Sequence, residues 1–505
     1  MQKKVDQFQE FLNADAVKDN IGLSMASYKI WQEKGKENAL KFFHLASELV
    51  PAYSDFLKSN NIDHSKIKSY KDFSQIPVTT KENYLSKYPI NKLCVNGDIS
   101  QSNIVSSSSG SSGAPFYWPR NLEQDLNIAK ILEILYVNNF EIHKTPTLML
   151  VCLGLGVWTA GEMMFSSGKI IAQKGHPLTI MSPGVDLNET IKTLKNIAPY
   201  YKQTFIVGYP AFVKDIIDLA IKEGVDIKSL SLKILVGGEV FTENWREYIY
   251  KNAQMTNRFK DITSVLGSSE GGIVGIETPI CSYIRKRAFD SNKIQKAFFG
   301  TNILPSIVQY NPAGKFFEIV KDELVLTNMG GLPLIRYNTR DNGKILSFEE
   351  IMGIFQKEEI SVKQINNDIG INSIWTLPFA YLSGRANVMA TIYAVNVYPE
   401  NIKPVLFNLD LKGLVTGRFT LKTTEDNNHN QFLEIFVELS PGCSENFELE
   451  NKIKDMIVEN LKKVNSEYNK LSESLTGRNL LKVNLKQFQD QKYFTSDKQK
   501  YILKS

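Results

Sequence analysis

The hydrophobic pattern divides the chain into a helical first part, an alternating middle part and a smaller last part. Roughly the first hundred residues have the periodicity of amphipathic helices and few strand-like runs. From Thr147 onward, short apolar runs such as TLMLVCL, TFIVGY and LKILVGG alternate with helical segments such as AFVKDIIDLAIKEG. This alternation is typical of parallel strands connected by helices. The middle of the chain therefore predicts parallel-sheet α/β subdomains.

The pattern changes again between Phe289 and Asp341, where strand-like runs are separated by Asn, Pro and Gly. These runs, among them PSIVQYNP, DELVLTN and LPLIRYN, predict a β subdomain. After YLSGRANVMA, three further predicted strands and one amphipathic helix form a self-contained block. We therefore expect an α/β protein with a large N-terminal domain, residues 1–383, and a small C-terminal α+β domain, residues 384–505.

Composition and charge exclude several classes of protein. The 505 residues are 43% hydrophobic and 22% charged, the balance of an ordinary globular protein. The net charge of +5 is too small to predict a nucleic-acid partner. Four cysteines, far apart in the sequence, favour neither a disulfide framework nor a zinc site.

Two segments bear on where the protein is found. The amino terminus, MQKKVDQFQEFLNAD, lacks the apolar core of a signal peptide. The apolar segment TPTLMLVCLGLGVWTAGEMMF is interrupted by glycines and by Glu162, so it predicts a buried strand and a turn, not a membrane span. We expect a cytoplasmic monomer or homodimer that binds neither nucleic acid nor a membrane.

The first candidate site is the serine-rich stretch NIVSSSSGSSGAPFYW. By composition alone it is typical of a linker. However, a strand-like run precedes it and the predicted helix NLEQDLNIAKILEILY follows it, so it joins ordered elements. Such a loop presents backbone N–H groups and hydroxyls that can surround phosphate oxygens. It lacks the Gly-Lys-Ser/Thr ending of the common P-loop.

The second candidate site is LGSSEGG, which has two interpretations. It contains Gly-x-Ser-x-Gly, the hydrolase nucleophile motif, with Ser269 as nucleophile. A hydrolase of this kind needs a later histidine, and His429, in a polar turn, is the only one downstream. Alternatively, Glu270 could bind a magnesium ion that is shared with a triphosphate.

Several segments, in the same order along the chain, resemble motifs of the adenylate-forming superfamily of acyl- and aryl-CoA ligases. Within it they are most similar to the phenylacetate-CoA ligase family, from about Ile67 to the end. SSGSSGAP looks like the phosphate loop of that family, VGGEVFTENWR like its adenine-side segment and DITSVLGSSEGG like its Gly-x-Ser-Glu motif. LVLTNMGGLPLIRYNTRD resembles the segment that ends in the ribose-binding aspartate, and LSGRANVMATIYAVNVYPENI resembles the hinge and the following loop.

The resemblance implies roles for individual residues. ATP phosphates would bind at Ser108, Ser109, Gly110, Ser111, Ser112 and Gly113, and the rest of the nucleotide at Gly238, Glu239, Ser269, Asp341 and Arg385. Glu270 would ligate Mg²⁺, Lys498 would be the mobile catalytic lysine, and Asn387 would lie at the hinge. Trp158 and Tyr209 would line the pocket for the acid.

The implied activity is ATP-dependent formation of an acyl-adenylate from a small carboxylic acid, aryl or short acyl. Thioester formation with coenzyme A, or with the phosphopantetheine arm of an acyl carrier protein, would follow after rotation of a mobile C-terminal domain. Sequence differences from the family include Leu266 in place of a tyrosine and Ala394 in place of a glycine in the loop that lines the thiol tunnel. A methyl group there can narrow the tunnel or forbid a positive φ, and either effect would hinder the use of coenzyme A. The alternative is transfer of the adenylate to another protein or small-molecule acceptor.

Overall fold

The structure is a computed structural model that describes residues 2–107, 116–238, 240–300, 304–385, 389–406, 408–411, 413–494 and 502. The predicted phosphate loop, Glu239, Asn387 and Lys498 lie outside the described residues. Their assigned roles stay predictions.

The first part of the chain is helical, as predicted, and ends in a hairpin followed by a long helix. Its elements are α1 (Gln2–Asn13), α2 (Ala16–Met25), α3 (Tyr28–Leu49), α4 (Pro51–Ser59), α5 (Tyr70–Phe73), α6 (Ile90–Leu93), β1 (Ile104–Ser107), β2 (Tyr117–Arg120) and α7 (Leu122–Phe140). Strands β1 and β2 pair antiparallel, so the serine-rich stretch connects the two strands of a hairpin. Strand β2 was not predicted.

The middle part alternates strands and helices, which confirms the predicted α/β units. Its elements are β3 (Thr147–Cys152), α8 (Thr159–Ala172), β4 (Leu178–Met181), α9 (Leu187–Asn196), β5 (Gln203–Gly208), α10 (Pro210–Lys222), β6 (Lys233–Val236), α11 (Glu243–Asn252), β7 (Ile262–Ser268) and β8 (Gly272–Ile276). Every residue of β3 and of β5 is buried, which explains why these strands are apolar runs without alternation. In α10, Val213, Ile216 and Ile217 are fully buried against the sheet.

The next part is rich in strands but also contains helices that the sequence pattern did not predict. Its elements are α12 (Pro279–Asp290), α13 (Asn292–Phe299), β9 (Ser306–Gln309), β10 (Phe316–Val320), β11 (Glu323–Asn328), β12 (Leu334–Leu346), α14 (Phe348–Lys357), α15 (Val362–Ile369) and β13 (Phe379–Arg385). Short 3₁₀ helices lie at His64–Lys66, Leu85–Lys87, Val95–Gly97, Ile99–Gln101, Ala198–Tyr200 and Leu409–Leu411.

The two halves of the N-terminal region share one sheet. The strand order is β4-β3-β5-β6-β7-β8-β9-β13-β12-β11-β10. Neighbours from β4 to β7 are parallel, and neighbours from β7 to β10 are antiparallel. The predicted α/β and β subdomains are therefore continuous through the β7–β8 pair.

The last part of the chain is a separate α+β unit with its own core. Its elements are β14 (Ala390–Ile392), β15 (Val395–Val397), α16 (Pro399–Leu406), β16 (Val415–Glu425), β17 (Gln431–Leu439), α17 (Phe447–Val464), α18 (Ser466–Ser474) and β18 (Leu481–Lys486). Strands β16, β17 and β18 form a sheet against which Ile453, Ile457 and Leu461 of α17 are buried. The prediction of a single helix here was wrong, because α16 and α18 are short and α16 contains Pro404.

The predicted boundary after residue 383 falls within β13, and it stays a prediction. Among the described residues, no helix combines the length and the apolar character that crossing a membrane requires.

Candidate functional site

The predicted site residues follow the carboxyl ends of the parallel strands. Tyr209 comes directly after β5, Gly238 shortly after β6, and Glu270 in the turn after β7. Trp158 follows β3 and immediately precedes α8. In open α/β sheets, ligands bind in the crevice outside the carboxyl ends of the strands. The topology therefore brings residues from four separate segments to one edge of the sheet.

These residues line a cleft of about 1590 Å³ that the C-terminal unit also borders. Trp158, Tyr209, Gly238, Ser269, Glu270 and Asp341 all line it. From the C-terminal unit, the hairpin β14–β15, the end of β16 and helix α18 complete the wall. Its volume exceeds that of a usual site for a single small molecule, which leaves room for more than one substrate.

Gly238 has a conformation and a position that favour glycine. Its φ is +82°, in the left-handed region. A methyl group there would lie 3.0 Å from the Tyr209 ring and 3.2 Å from the Ala394 methyl group. Gly238 therefore allows the loop after β6 and the turn between β14 and β15 of the C-terminal unit to approach each other closely.

Both strands that flank the serine-rich loop are described, and β1 is anchored in the cleft. The Ser107 N–H donates to the Val157 carbonyl at 2.8 Å. The Thr159 hydroxyl donates to Ser106 at 3.0 Å and contacts the Ser269 hydroxyl at 3.5 Å. The entry to the loop is thus fixed to the start of α8 and to the turn after β7.

Asp341 and Glu270 are half-buried carboxylates that both line the cleft. Asp341 lies on β12, its backbone N–H donates to the Thr339 hydroxyl at 3.3 Å, and its register partner on β13 is Arg385. The structure therefore brings two of the predicted nucleotide-binding positions side by side in neighbouring strands.

A magnesium ion fits the residues present. Mg²⁺ in such sites is usually held by one or two carboxylates together with substrate phosphates. Glu270 supplies one carboxylate at the edge of the cleft where the serine-rich loop begins.

The acid pocket was predicted only at Trp158 and Tyr209. Both side chains lie over Gly154, since a methyl group there would be 3.2 Å from the Trp158 ring and 3.7 Å from the Tyr209 hydroxyl. Further apolar side chains line the cleft: Phe116, Trp118, Leu155, Met163, Met164 and Val207. No motif indicated them, although several stand in the predicted apolar segment.

The C-terminal unit contributes residues that sequence reasoning missed entirely. The Lys470 ammonium lies 5.6 Å from the centre of the Trp158 ring, a cation–π distance. Thr423, Thr424 and Gln431 also line the cleft. Ile502, four residues after Lys498, pairs with Leu421 of β16 and reaches the cleft as well.

Ala394 does adopt a positive φ. The turn between β14 and β15 consists of Tyr393 and Ala394, with φ of +46° and +62°. Two-residue turns of this kind usually contain Asn and Gly, because both central residues need positive φ. The alternative that a methyl group would forbid this conformation was therefore wrong, although the methyl group does face Gly238 across the cleft.

The serine-hydrolase interpretation of Ser269 is not supported. None of the five histidines, which all lie in the described part of the chain, lines the cleft with Ser269. His429 is in the predicted turn, where its ring packs 5.4 Å from that of Tyr248 and bonds to Glu425 at 3.4 Å. A triad base would have to lie within hydrogen-bonding reach of the serine.

Comparison with solved structures identifies the fold. The chain is similar to a 2-hydroxyisobutyryl-CoA ligase in complex with 2-HIB-AMP and CoA in the thioesterification state, with a TM-score of 0.63 and 14% identity over 95% of this chain and 90% of that chain. The chain shares the fold of this ligase. The same ligase in the postadenylation state has a TM-score of 0.53, with 13% identity over 95% of this chain and 91% of that chain. In an open conformation the ligase has a TM-score of 0.51, with 14% identity over 93% of this chain and 90% of that chain. No protein-family model matches the sequence, and no curated protein is detectably similar to it.

Proposed function

We propose that the protein uses ATP to convert a carboxylic acid to an acyl-adenylate and then transfers the acyl group to a thiol. The observation that carries this proposal is the meeting of Tyr209, Gly238, Glu270 and Asp341 on one cleft between two domains. Gly238, Glu270 and Asp341 come from separate motifs, and the family resemblance assigned all four residues to one nucleotide and acid site. Their convergence supports that assignment.

In the first step, a carboxylate oxygen attacks the α-phosphorus of ATP, and the bond from phosphorus to pyrophosphate breaks. Two anions must approach each other, so the site must supply positive charge and hydrogen-bond donors. We assign the donors to the loop Ser108–Gly113, the metal ligand to Glu270 and the counter-ion to Lys498. Mg²⁺, when bound, would neutralise phosphate charge. Asp341 and Gly238 would orient the ribose and the adenine.

In the second step, the thiol sulfur attacks the acyl carbon, AMP leaves with the bond electrons, and the thiol proton passes to solvent. The similarity scores support an arrangement suited to this step. The three comparison structures are of one ligase with nearly equal coverage, so we attribute their different scores to the domain arrangement. The arrangement described here scores higher against the thioesterification state, 0.63, than against the postadenylation state, 0.53.

The finer assignment is an AMP-forming acid–thiol ligase similar to phenylacetate-CoA ligase, acting on an aryl or short acyl acid. Trp158, Trp118 and Phe116 give the pocket aromatic walls, and Met163 and Met164 give it adaptable apolar ones. Such a lining favours an apolar acid.

Pyrophosphate exchange into ATP tests the first step. We expect exchange with at least one acid of a panel that contains phenylacetate, benzoate, acetate and 2-hydroxyisobutyrate. Lys498→Ala should lower exchange by about 100-fold or more, because it removes a charge that stabilises the transition state. Lys462→Ala, at an exposed position of α17, is the matched control and should exchange normally. The proposal is wrong if no acid supports exchange, and the lysine assignment is wrong if Lys498→Ala exchanges normally.

Mass spectrometry of the product tests the acceptor. Incubation with ATP, the active acid and either coenzyme A or a phosphopantetheinylated carrier protein should give a thioester with one of them. Persistence of the acyl-adenylate with both would favour transfer to another acceptor.

A further inference from the structure

The turn Tyr393–Ala394, which we call the hairpin tip, holds an unfavourable conformation at the wall of the cleft. Both residues have positive φ although neither is glycine. Strained backbone of this kind persists only where its surroundings fix it, and it is concentrated at functional sites. Tyr393 is 2% exposed, and its N–H donates to the Gln431 side-chain oxygen at 2.9 Å. The hairpin tip is therefore held from within the C-terminal unit.

A second contact ties the hairpin tip to the N-terminal domain. Arg478 Nη1 donates to the Tyr393 hydroxyl at 3.1 Å, and the same nitrogen lies 2.6 Å from Asp215 Oδ1. Asp215 belongs to α10 of the N-terminal domain, and its side chain is fully buried. Its oxygens accept no well-aligned hydrogen bond from the described residues, so the contact with Arg478 is an ion pair by charge and distance. Arg478 thus joins a buried carboxylate of one domain to the strained turn of the other.

The surroundings of Asp215 make the loss of this pair costly. Burial raises the pKa of Asp215, and the positive charge of Arg478 opposes that rise. The other charged side chains nearby, Lys214 and Asp218, bind each other at 2.6 Å. A buried carboxylate that loses its partner is costly, so Arg478 favours the arrangement in which the hairpin tip faces Gly238.

We propose that Asp215, Arg478 and Tyr393 form a strut that positions the hairpin tip for acyl transfer to the thiol and takes no part in adenylation. This inference rests on the proposed function, because it assigns the three residues to acyl transfer, the second of the two proposed steps. Arg478 and Asp215 act through the hairpin tip and are positioning residues.

Two assays on the same variants test the strut. Arg478→Gln should leave acid-dependent pyrophosphate exchange within about twofold of the wild type. It should lower transfer from synthetic phenylacetyl-adenylate to coenzyme A by about tenfold or more, because the buried Asp215 carboxylate loses its partner. Arg478→Lys should restore part of the transfer rate, and Tyr393→Phe should lower transfer less than Arg478→Gln. Lys482→Gln, at an exposed position of β18, is the matched control and should behave as the wild type in both assays.

Asp215→Asn separates positioning from folding. It keeps the size of the side chain and should reproduce the selective loss of transfer. Normal transfer in both Arg478→Gln and Asp215→Asn, or equal losses in exchange and transfer, would overturn the strut. Failure of the wild type to catalyse exchange with any acid would instead overturn the proposed function, so the two failures are distinguishable.

Discussion

At the scale of single residues, Gly238 links backbone conformation to site geometry most directly. Its φ of +82° is a conformation that costs an L-residue with a side chain roughly 1–2 kcal/mol. An added methyl group would also press on Tyr209 and Ala394, at 3.0 and 3.2 Å. The residue therefore serves both the fold of the loop after β6 and the approach of the two domains.

Gly238→Ala should lower the free energy of unfolding by about 1–2 kcal/mol, because the new side chain meets both the strained φ and the Tyr209 ring. Gly353→Ala is the matched control, because Gly353 lies inside α14 and an added methyl group meets nothing within 4 Å. That control should be unchanged or more stable by about 0.5–1 kcal/mol, since alanine is the better helix former. Guanidinium denaturation measures both. Equal stability of the two variants would contradict the role given to Gly238.

At the scale of elements, the turn that leads into β10 is tied to β8 by a half-buried lysine. The Lys315 ammonium donates a hydrogen bond to the Ile273 carbonyl, and burial lowers the pKa of Lys315 to about 7. The group stands 3.8 Å from where a methyl group on Gly272 would lie, next to Met163 of the cleft wall. The link therefore keeps an ionisable group behind the acid pocket.

Lys315→Met should change how stability depends on pH. Between about pH 7 and the ordinary lysine pKa of 10.5, the unfolded chain binds a proton that the folded chain releases. The free energy of unfolding of the wild type should therefore rise with pH in that window, by up to about 1.4 kcal/mol per pH unit from this group. Lys315→Met lacks this contribution, so its advantage over the wild type should shrink from pH 6 to pH 9. A constant difference across these pH values would contradict the lowered pKa, and the exposed Lys228→Met is the control.

The elements also show which parts of the fold and of the site could be predicted from the sequence. Strands β3, β5 and β6 were predicted because they are buried on both faces and therefore read as short apolar runs. Helix α13 was missed because it lies inside the region predicted to be strand-rich, and no prediction was made for α12, α14 and α15. The joining of the two subdomains into one sheet also needs the pairing of β8 with β9, two strands that α12 and α13 separate along the chain. Trp158 and Glu270 were predicted from motifs after strands and Tyr209 from the family resemblance. Lys470 and Arg478 reach the cleft region only through the domain arrangement.

At the scale of the whole molecule, polar side-chain contacts join the two domains, and Ala211 of α10 packs on the core of the C-terminal unit. Besides the strut, Lys214 donates to Asn430 at 3.1 Å, and the rings of Tyr248 and His429 are 5.4 Å apart. Polar interfaces of this kind permit relative domain motion. A protein that adenylates in one arrangement and transfers in another needs such an interface, because each contact must break and form in every turnover.

Cross-linking this interface should therefore separate the two steps. Tyr248→Cys with His429→Cys, in a chain whose half-buried Cys443 is replaced by Ser, can be joined by a short reducible bismaleimide. The joined protein should lose pyrophosphate exchange by about tenfold or more, because the domain is held away from the adenylation arrangement, while transfer from phenylacetyl-adenylate to coenzyme A continues. Reduction of the linker should restore exchange, and each single-cysteine variant treated in the same way should keep it. Full exchange in the joined protein would mean that both steps proceed in one arrangement, so that the contacts between the domains would be permanent and not cyclic.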